Sequence, residues 1–262
     1  VRRVVPGAWM VRFSALLCAV FLLLPLASLA QHVGARAIVN AWRMGGRSAV
    51  ITSMTCTMLS MAVILVFGTP LAYMMSRRRT PFWRLVEFLM LIPLLMPPLV
   101  IGLLLMYVYG PYGGIGRALS QLGLVATNSA LAVVLAQVYE ALPYYLFAAQ
   151  AAFSQVDRGV ERASLSLGMG PLATFRRVTV PLALPGLCVG LAMAFARAIG
   201  AFGAVIVMAY YPSTLPVSIW ISLQEQGLPA ALPLAVLLLV VALPLPLLVV
   251  LWRRMRDASS PV

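Results

Sequence analysis

The chain has 262 residues, of which 63% are hydrophobic and only 10% charged, with a formal net charge of +13 and a mean hydropathy of +1.00. Soluble domains average about 45–50% apolar and about 25% charged residues. No soluble fold of this length hides so much apolar surface, so lipid solvates the remainder. All 19 basic residues are Arg. Without Lys there is no phosphate-loop lysine to reach the β/γ-phosphates, no Schiff base and no Lys general base. His32 is the single histidine, which excludes a multi-histidine metal cluster or proton relay, and no metal site is expected. Cys18, Cys56 and Cys188 are odd in number and lie in apolar runs, so buried thiols are expected rather than a disulfide.

The expected fold is all-α, with six apolar runs read as spans: Phe13–Leu29, Thr52–Met74, Val86–Tyr109, Ala130–Ala151, Leu182–Met208 and Ala231–Leu251. Each is near the roughly 20 residues that cross a bilayer core. The first follows Arg2, Arg3 and Arg12 and ends in Ser28-Leu29-Ala30, a pattern shared with secretory leaders. Five further spans follow it, so an uncleaved helix is expected. Arg36, Arg43 and Arg47 come next, on the side poor in Arg. They are read either as solvated or headgroup-bound side chains, or as contacts for an acidic partner or an incoming anion.

Pro93, Pro97 and Pro98 interrupt the third span. Two readings stay open for them: a kink with local backbone repair, or a break near a gate that lets the helix rock. Glu140 lies about ten residues into the fourth span, roughly 15 Å deep at 1.5 Å per residue. Arg197 lies about fifteen residues into the fifth, roughly 22 Å from the opposite side. A charge at mid-depth costs about 2.5–3.5 kcal/mol, which calls for a partner or a wet cavity. Mutual pairing is expected, with direct contact between Arg197 and a passing anion as the rival. Gly186, Gly190, Ala196, Gly200 and Gly203 recur at small-residue spacing, which suits close helix packing.

The charges sort by side. Fourteen Arg fall at the N-terminus, in the loops 75–85 and 153–180, and at the C-terminus, against four in the other loops. That bias places both termini and the 153–180 loop in the cytoplasm. In this loop Asp157 is a helix N-cap, Glu161 suits the first turn of the helix, and Gly168 is its stop. Pro181 marks the start of the next span. The expectation is a helix, a Gly turn and a second helix lying across the membrane face. It is read either as a docking element for a soluble partner or as an ordinary amphipathic interfacial loop.

Gly168, followed nine residues later by Val178-Thr179-Val180-Pro181, resembles the EAA loop of ATP-binding-cassette (ABC) importer permeases. Arg162-Ala163-Ser164 stand at the Glu-Ala-Ala positions, and Glu161 comes one residue early. Leu91-Ile92-Pro93-Leu94-Leu95-Met96-Pro97-Pro98 is similar to the Pro-rich span of molybdate and sulfate importer permeases, and Phe195-Ala196-Arg197-Ala198-Ile199-Gly200-Ala201-Phe202-Gly203-Ala204 to their Phe-Ala-Arg-x-x-Gly-Glu-Phe-Gly-Ala signature. Thr214-Leu215-Pro216 also has a counterpart there. The signature's Glu is replaced by Ala201, and Glu140 is read as standing in for it.

The resemblance implies a type I ABC importer permease fold in a bacterial inner membrane. It implies a second permease chain, cytoplasmic ABC ATPase subunits and an external solute-binding protein. ATP is then bound by the partner subunit, and this chain needs no cofactor of its own. The implied cargo is a small inorganic oxyanion; ferric iron, thiosulfate or a small organic anion are the same-family alternatives, and a secondary transporter is the alternative from another class. The loop residues Asp157, Glu161, Arg162, Ala163, Ser164, Gly168, Val178 and Pro181 become ATPase-docking candidates. Pro93, Pro97, Pro98, Glu140, Arg197, Gly200, Phe202 and Gly203 become pathway candidates, with Phe202 as a hydrophobic gate. The expected organisation is an N-terminal helix and external loop over 1–51, a permease core over 52–252 and a cytoplasmic tail over 253–262.

Overall fold

The computed structural model of the chain describes residues 8–78 and 80–259, and all regular structure among them is helical. Arg2, Arg3 and Arg79 lie outside the described residues, as does the side chain of Arg256. Helices follow from the solvent. A lipid core offers the backbone no hydrogen bonds, so each segment satisfies its own N–H and C=O groups.

In chain order the helices are α1 (Ala8–His32), α2 (Ala35–Arg77), α3 (Pro81–Leu95), α4 (Pro98–Tyr109) and α5 (Gly114–Gln121). They continue with α6 (Ala130–Gln155), α7 (Arg158–Ser166), α8 (Pro171–Ile199), α9 (Gly203–Met208), α10 (Leu215–Gln226) and α11 (Leu228–Met255). Among the described residues, five helices are long and apolar enough to cross a membrane, and the bent pair α3–α4 makes a sixth if it is taken as one span.

α6 is the central post. Its buried Ala141, Tyr145, Ala149 and Phe153 face α8 and α2. Small residues allow the close approach of α8: a side chain on Gly190 would come within 2.9 Å of the Ala148 Cβ, and one on Gly186 would overlap Ala152. α1 stands apart, with its large apolar side chains exposed, as suits a helix covered by lipid.

Two of the expected spans are not continuous. The third bends by 115° between α3 and α4. Met96 precedes Pro97, which precedes Pro98, and a residue before proline is pushed out of the helical region. Both are accordingly extended, with ψ of 137° and 135°. The fifth span ends its long helix at Ile199; Gly200–Phe202 break it, and α9 follows as a separate short helix. At its other end this span is longer than expected. The second helix of the 153–180 loop does not lie apart but continues into the apolar span as α8, so Pro181 sits inside a helix instead of opening one.

A wide turn over Phe175–Thr179 makes that possible. Proline lacks an N–H, and its ring crowds the carbonyl four residues back, here that of Arg177. A turn with one extra residue relieves the clash. The same device recurs in α2, where the wide turn Ile64–Gly68 precedes Pro70. α2 itself starts well before the expected Thr52 and kinks at Gly45, whose φ of 121° suits glycine.

Candidate pathway and docking loop

Two groups of candidate residues gather at different levels of the molecule. The first surrounds Glu140. Its Oε2 lies 2.5 Å from Arg197 Nη2 on α8, and its Oε1 accepts a hydrogen bond from the Ala204 backbone N–H at 3.3 Å. One carboxylate therefore ties α6, α8 and the first turn of α9 together across the break at Gly200–Phe202. The expected partner of each mid-depth charge is the other. The pair is asymmetric: the Glu140 side chain is 0% exposed, whereas that of Arg197 is 26% exposed. Oε2 meets the guanidinium as an ion pair, without a well-angled hydrogen bond.

The two broken spans meet at the same level. A Cβ on Gly203 would lie 2.6 Å from the Pro98 Cβ and 3.0 Å from the Leu99 backbone N, and one on Gly102 2.8 Å from the Val207 Cβ. α4 and α9 thus cross with almost no side chain between them. Ala201 is buried in the same cluster. Phe202 is half-buried, its ring centroid 5.5 Å from that of Trp220 on α10. Gly200 and Pro97 are exposed, and Pro93 lies half-buried in α3 before the bend.

Sequence reasoning missed a polar seam beside this group. Gln137 Nε2 donates to Thr57 Oγ1 at 3.1 Å, the Ser60 hydroxyl reaches Gln137 Oε1 at 2.9 Å, and Ser53 Oγ accepts from the Leu215 N–H at 2.7 Å. The available signal was the spacing of Ser53, Thr57 and Ser60, which puts all three on one helical face.

The second group is the 153–180 loop. Asp157 caps α7 by accepting from the Gly159 N–H at 2.7 Å. Gly168, with φ of 88°, ends the helix as expected, and the Met169 N–H closes back on the Ser164 carbonyl at 3.2 Å. Ser164 is buried and pins the turn through Thr174 Oγ1 at 3.0 Å.

Glu161 points inward. Its Oε1 takes an ion pair from Arg77 Nη2 at 2.7 Å and a hydrogen bond from Thr179 Oγ1 at 2.7 Å. Arg77 also lies over the Tyr73 ring at 5.5 Å, and Tyr73 packs edge-on against Phe153 and Phe175. This latch joins α7 to the ends of α2 and α6 and the start of α8. Nothing local in the sequence names Arg77 as the partner, since 84 positions separate it from Glu161. Arg162, Ala163, Leu165 and Leu167 face outward, Val178 is half-buried, and Pro181 is exposed.

Broken helical spans, a buried ion pair and a braced helix–turn–helix at one end are set in a polytopic helical membrane protein. Residues 64–257 match the family described as binding-protein-dependent transport system inner membrane component, and the chain belongs to that family.

The chain is 44% identical over 195 residues to a probable molybdenum ABC transporter permease protein of Haloferax volcanii, covering 74% of this chain and 71% of that one. It is 35% identical over 232 residues to the molybdenum transport system permease protein ModB of Mycobacterium tuberculosis, covering 85% and 86%. Identity to the sulfate transport system permease protein CysT of Salmonella typhimurium is 30% over 251 residues, covering 92% and 91%. Among solved structures, a bacterial alginate ABC transporter in complex with an alginate pentasaccharide-bound periplasmic protein superposes with a TM-score of 0.70 at 18% identity, over 97% of this chain and 96% of that one. At that identity the likeness concerns the fold, which is the type I ABC importer permease fold.

Proposed function

We propose that this chain is the permease subunit of an ABC importer for a small inorganic oxyanion of the molybdate, tungstate or sulfate type. The observation that carries the cargo is the set of relatives, named for molybdenum, molybdate/tungstate and sulfate, at up to 44% identity. The mid-depth Arg197, with one face unburied beside a buried Glu140, supplies the positive group such an anion meets in passing.

In this reading two copies of the chain line the pathway in a bacterial inner membrane, with both termini cytoplasmic. An external binding protein delivers the anion. Separate ATPase subunits bind ATP and dock on the outward face of α7, at Arg162 and Ala163, while Asp157, Ser164, Gly168, Val178 and Pro181 hold the loop in shape. Glu161 transmits rather than contacts: a push on α7 reaches α2 through Arg77 and α8 through Thr179. The breaks at Pro97-Pro98 and at Gly200–Gly203, with Pro93 before them and Phe202 against Trp220, form the movable constriction. The 1–51, 52–252 and 253–262 division follows as helix and external loop, permease core and tail.

Uptake of labelled molybdate and sulfate into proteoliposomes holding the permease and its ATPase tests the reading, with the binding protein added outside. Accumulation is expected only with internal ATP and with both partners. Transport that persists without the ATPase overturns the ABC assignment. ATP hydrolysis stimulated by the binding protein, with neither labelled anion accumulating, overturns the cargo alone.

A further inference from the structure

Three helix ends meet on the docking-loop side of the molecule and enclose a pocket that none of the transport roles above uses. The end of α2, the start of α3 and the end of α6 surround about 340 Å³, lined chiefly by Ser76, Arg78, Trp83, Arg84, Glu87 and Gln150.

Its donors point to an anion. Arg78 and Arg84 make no side-chain hydrogen bond or ion pair among the described residues. Glu87, the acidic residue of the pocket, already accepts from Gln150 Nε2 at 3.3 Å. The hydroxyl of Ser76 is spent on the Tyr73 carbonyl at 2.7 Å, and that of nearby Ser154 on the Gln150 carbonyl at 2.8 Å. The donors left over are two guanidinium groups, the Trp83 indole N–H and the second amide N–H of Gln150. The positive end of the 15-residue helix α3 adds to them.

The setting points to a lipid. Phe82, Leu85 and Phe88 on the first turns of α3 are exposed apolar side chains, a surface suited to lipid chains beside the arginines. Trp83, edge-on to Phe82 with centroids 5.3 Å apart, sits at the changeover as interfacial aromatics do. Basic pockets between membrane helices on the cytoplasmic side suit phosphate headgroups.

We propose that this pocket holds the phosphodiester headgroup of an anionic lipid of the cytoplasmic leaflet, its chains running along α3. Arg78 directly follows Arg77, the partner of Glu161, so the bound headgroup steadies the end of α2 on which the docking loop is latched.

The test uses the full permease–ATPase complex in phosphatidylcholine nanodiscs with graded phosphatidylglycerol. Bound lipid is counted by native mass spectrometry. Retention of phosphatidylglycerol is expected, weakened roughly thirtyfold by Arg78→Gln/Arg84→Gln and roughly fivefold by either single change. Arg253→Gln/Arg254→Gln, at the end of α11, should leave retention unchanged, and Arg78→Lys/Arg84→Lys should preserve most of it. The single and lysine variants keep the test valid if the double glutamine variant folds poorly. Equal retention by Arg78→Gln/Arg84→Gln and the parent complex overturns the proposal. Thermal protection by inorganic phosphate in lipid-free detergent, without phosphatidylglycerol retention, overturns the lipid as the source of the anion.

Discussion

The Glu140–Arg197 pair shows how one residue's environment sets its task. Glu140 is enclosed by α6, α8 and α9, so its carboxylate has no water to fall back on and depends on Arg197 and the Ala204 N–H. Removing one partner from a buried pair costs about 3–5 kcal/mol, because the other charge stays behind unpaired. Glu140→Gln and Arg197→Gln are therefore expected to lower the thermal midpoint of the purified complex markedly and to abolish most uptake. Glu140→Arg and Arg197→Glu should each do the same, and the two together should restore a large part of the thermal midpoint, measured by thermal unfolding of the purified complex. Failure of the double swap counts against pairing as the reason for the single losses. Both charges were legible in the sequence as lone ionisable residues at mid-depth of apolar runs. The inward turn of Glu161 was not, because Arg77 and Thr179 reach it from distant parts of the chain.

The informative elements are those that fail to be continuous helices. The bend between α3 and α4 is written locally, in two successive residues that each precede a proline. The break before α9 is written less clearly, since Gly200 and Gly203 also suit an unbroken helix packed closely on its neighbours. Tertiary contact separates their roles. Gly203 faces the Pro98 Cβ and the Leu99 backbone, whereas a Cβ on Gly200 would meet nothing closer than the Ala196 carbonyl at 3.3 Å. Gly203→Ala is thus expected to destabilise the protein by about 1–3 kcal/mol, because rigid ring and backbone atoms cannot move aside. Gly200→Ala should cost less than about 1 kcal/mol, for its neighbour needs to give only slightly. Thermal unfolding of the two variants side by side checks the difference, and equal midpoints would mean that α4 and α9 do not cross as described.

At the scale of the whole molecule the arginines and the fold agree on two ends. Arg77, Arg158 and Arg162 cluster with the loop around Gly168, while Met44 and the kink at Gly45 lie at the far end of α2. With the loop cytoplasmic, as proposed, Met44 is external. In a background in which Cys18, Cys56 and Cys188 are replaced, Met44→Cys should react with a membrane-impermeant maleimide in intact cells. Leu165→Cys should react only after the membrane is opened. The reverse pattern would invert the topology and remove the basis for ATPase docking on α7.

Composition by itself determined the solvent of this protein, and apolar run length located its spans, though not their ends or the break before α9, because both depend on sums over neighbouring residues. Local chemistry likewise determined the Asp157 cap, the Gly168 stop and the interruption at Pro97-Pro98. Only the tertiary structure decided that Glu161 is a latch, that α4 and α9 cross through Gly102 and Gly203, and that Gln137 and Ser53 belong to a polar seam. The contacts concerned join positions up to 162 residues apart. Helical periodicity says which face a residue occupies but not which other face it meets, and that choice is made when the helices pack.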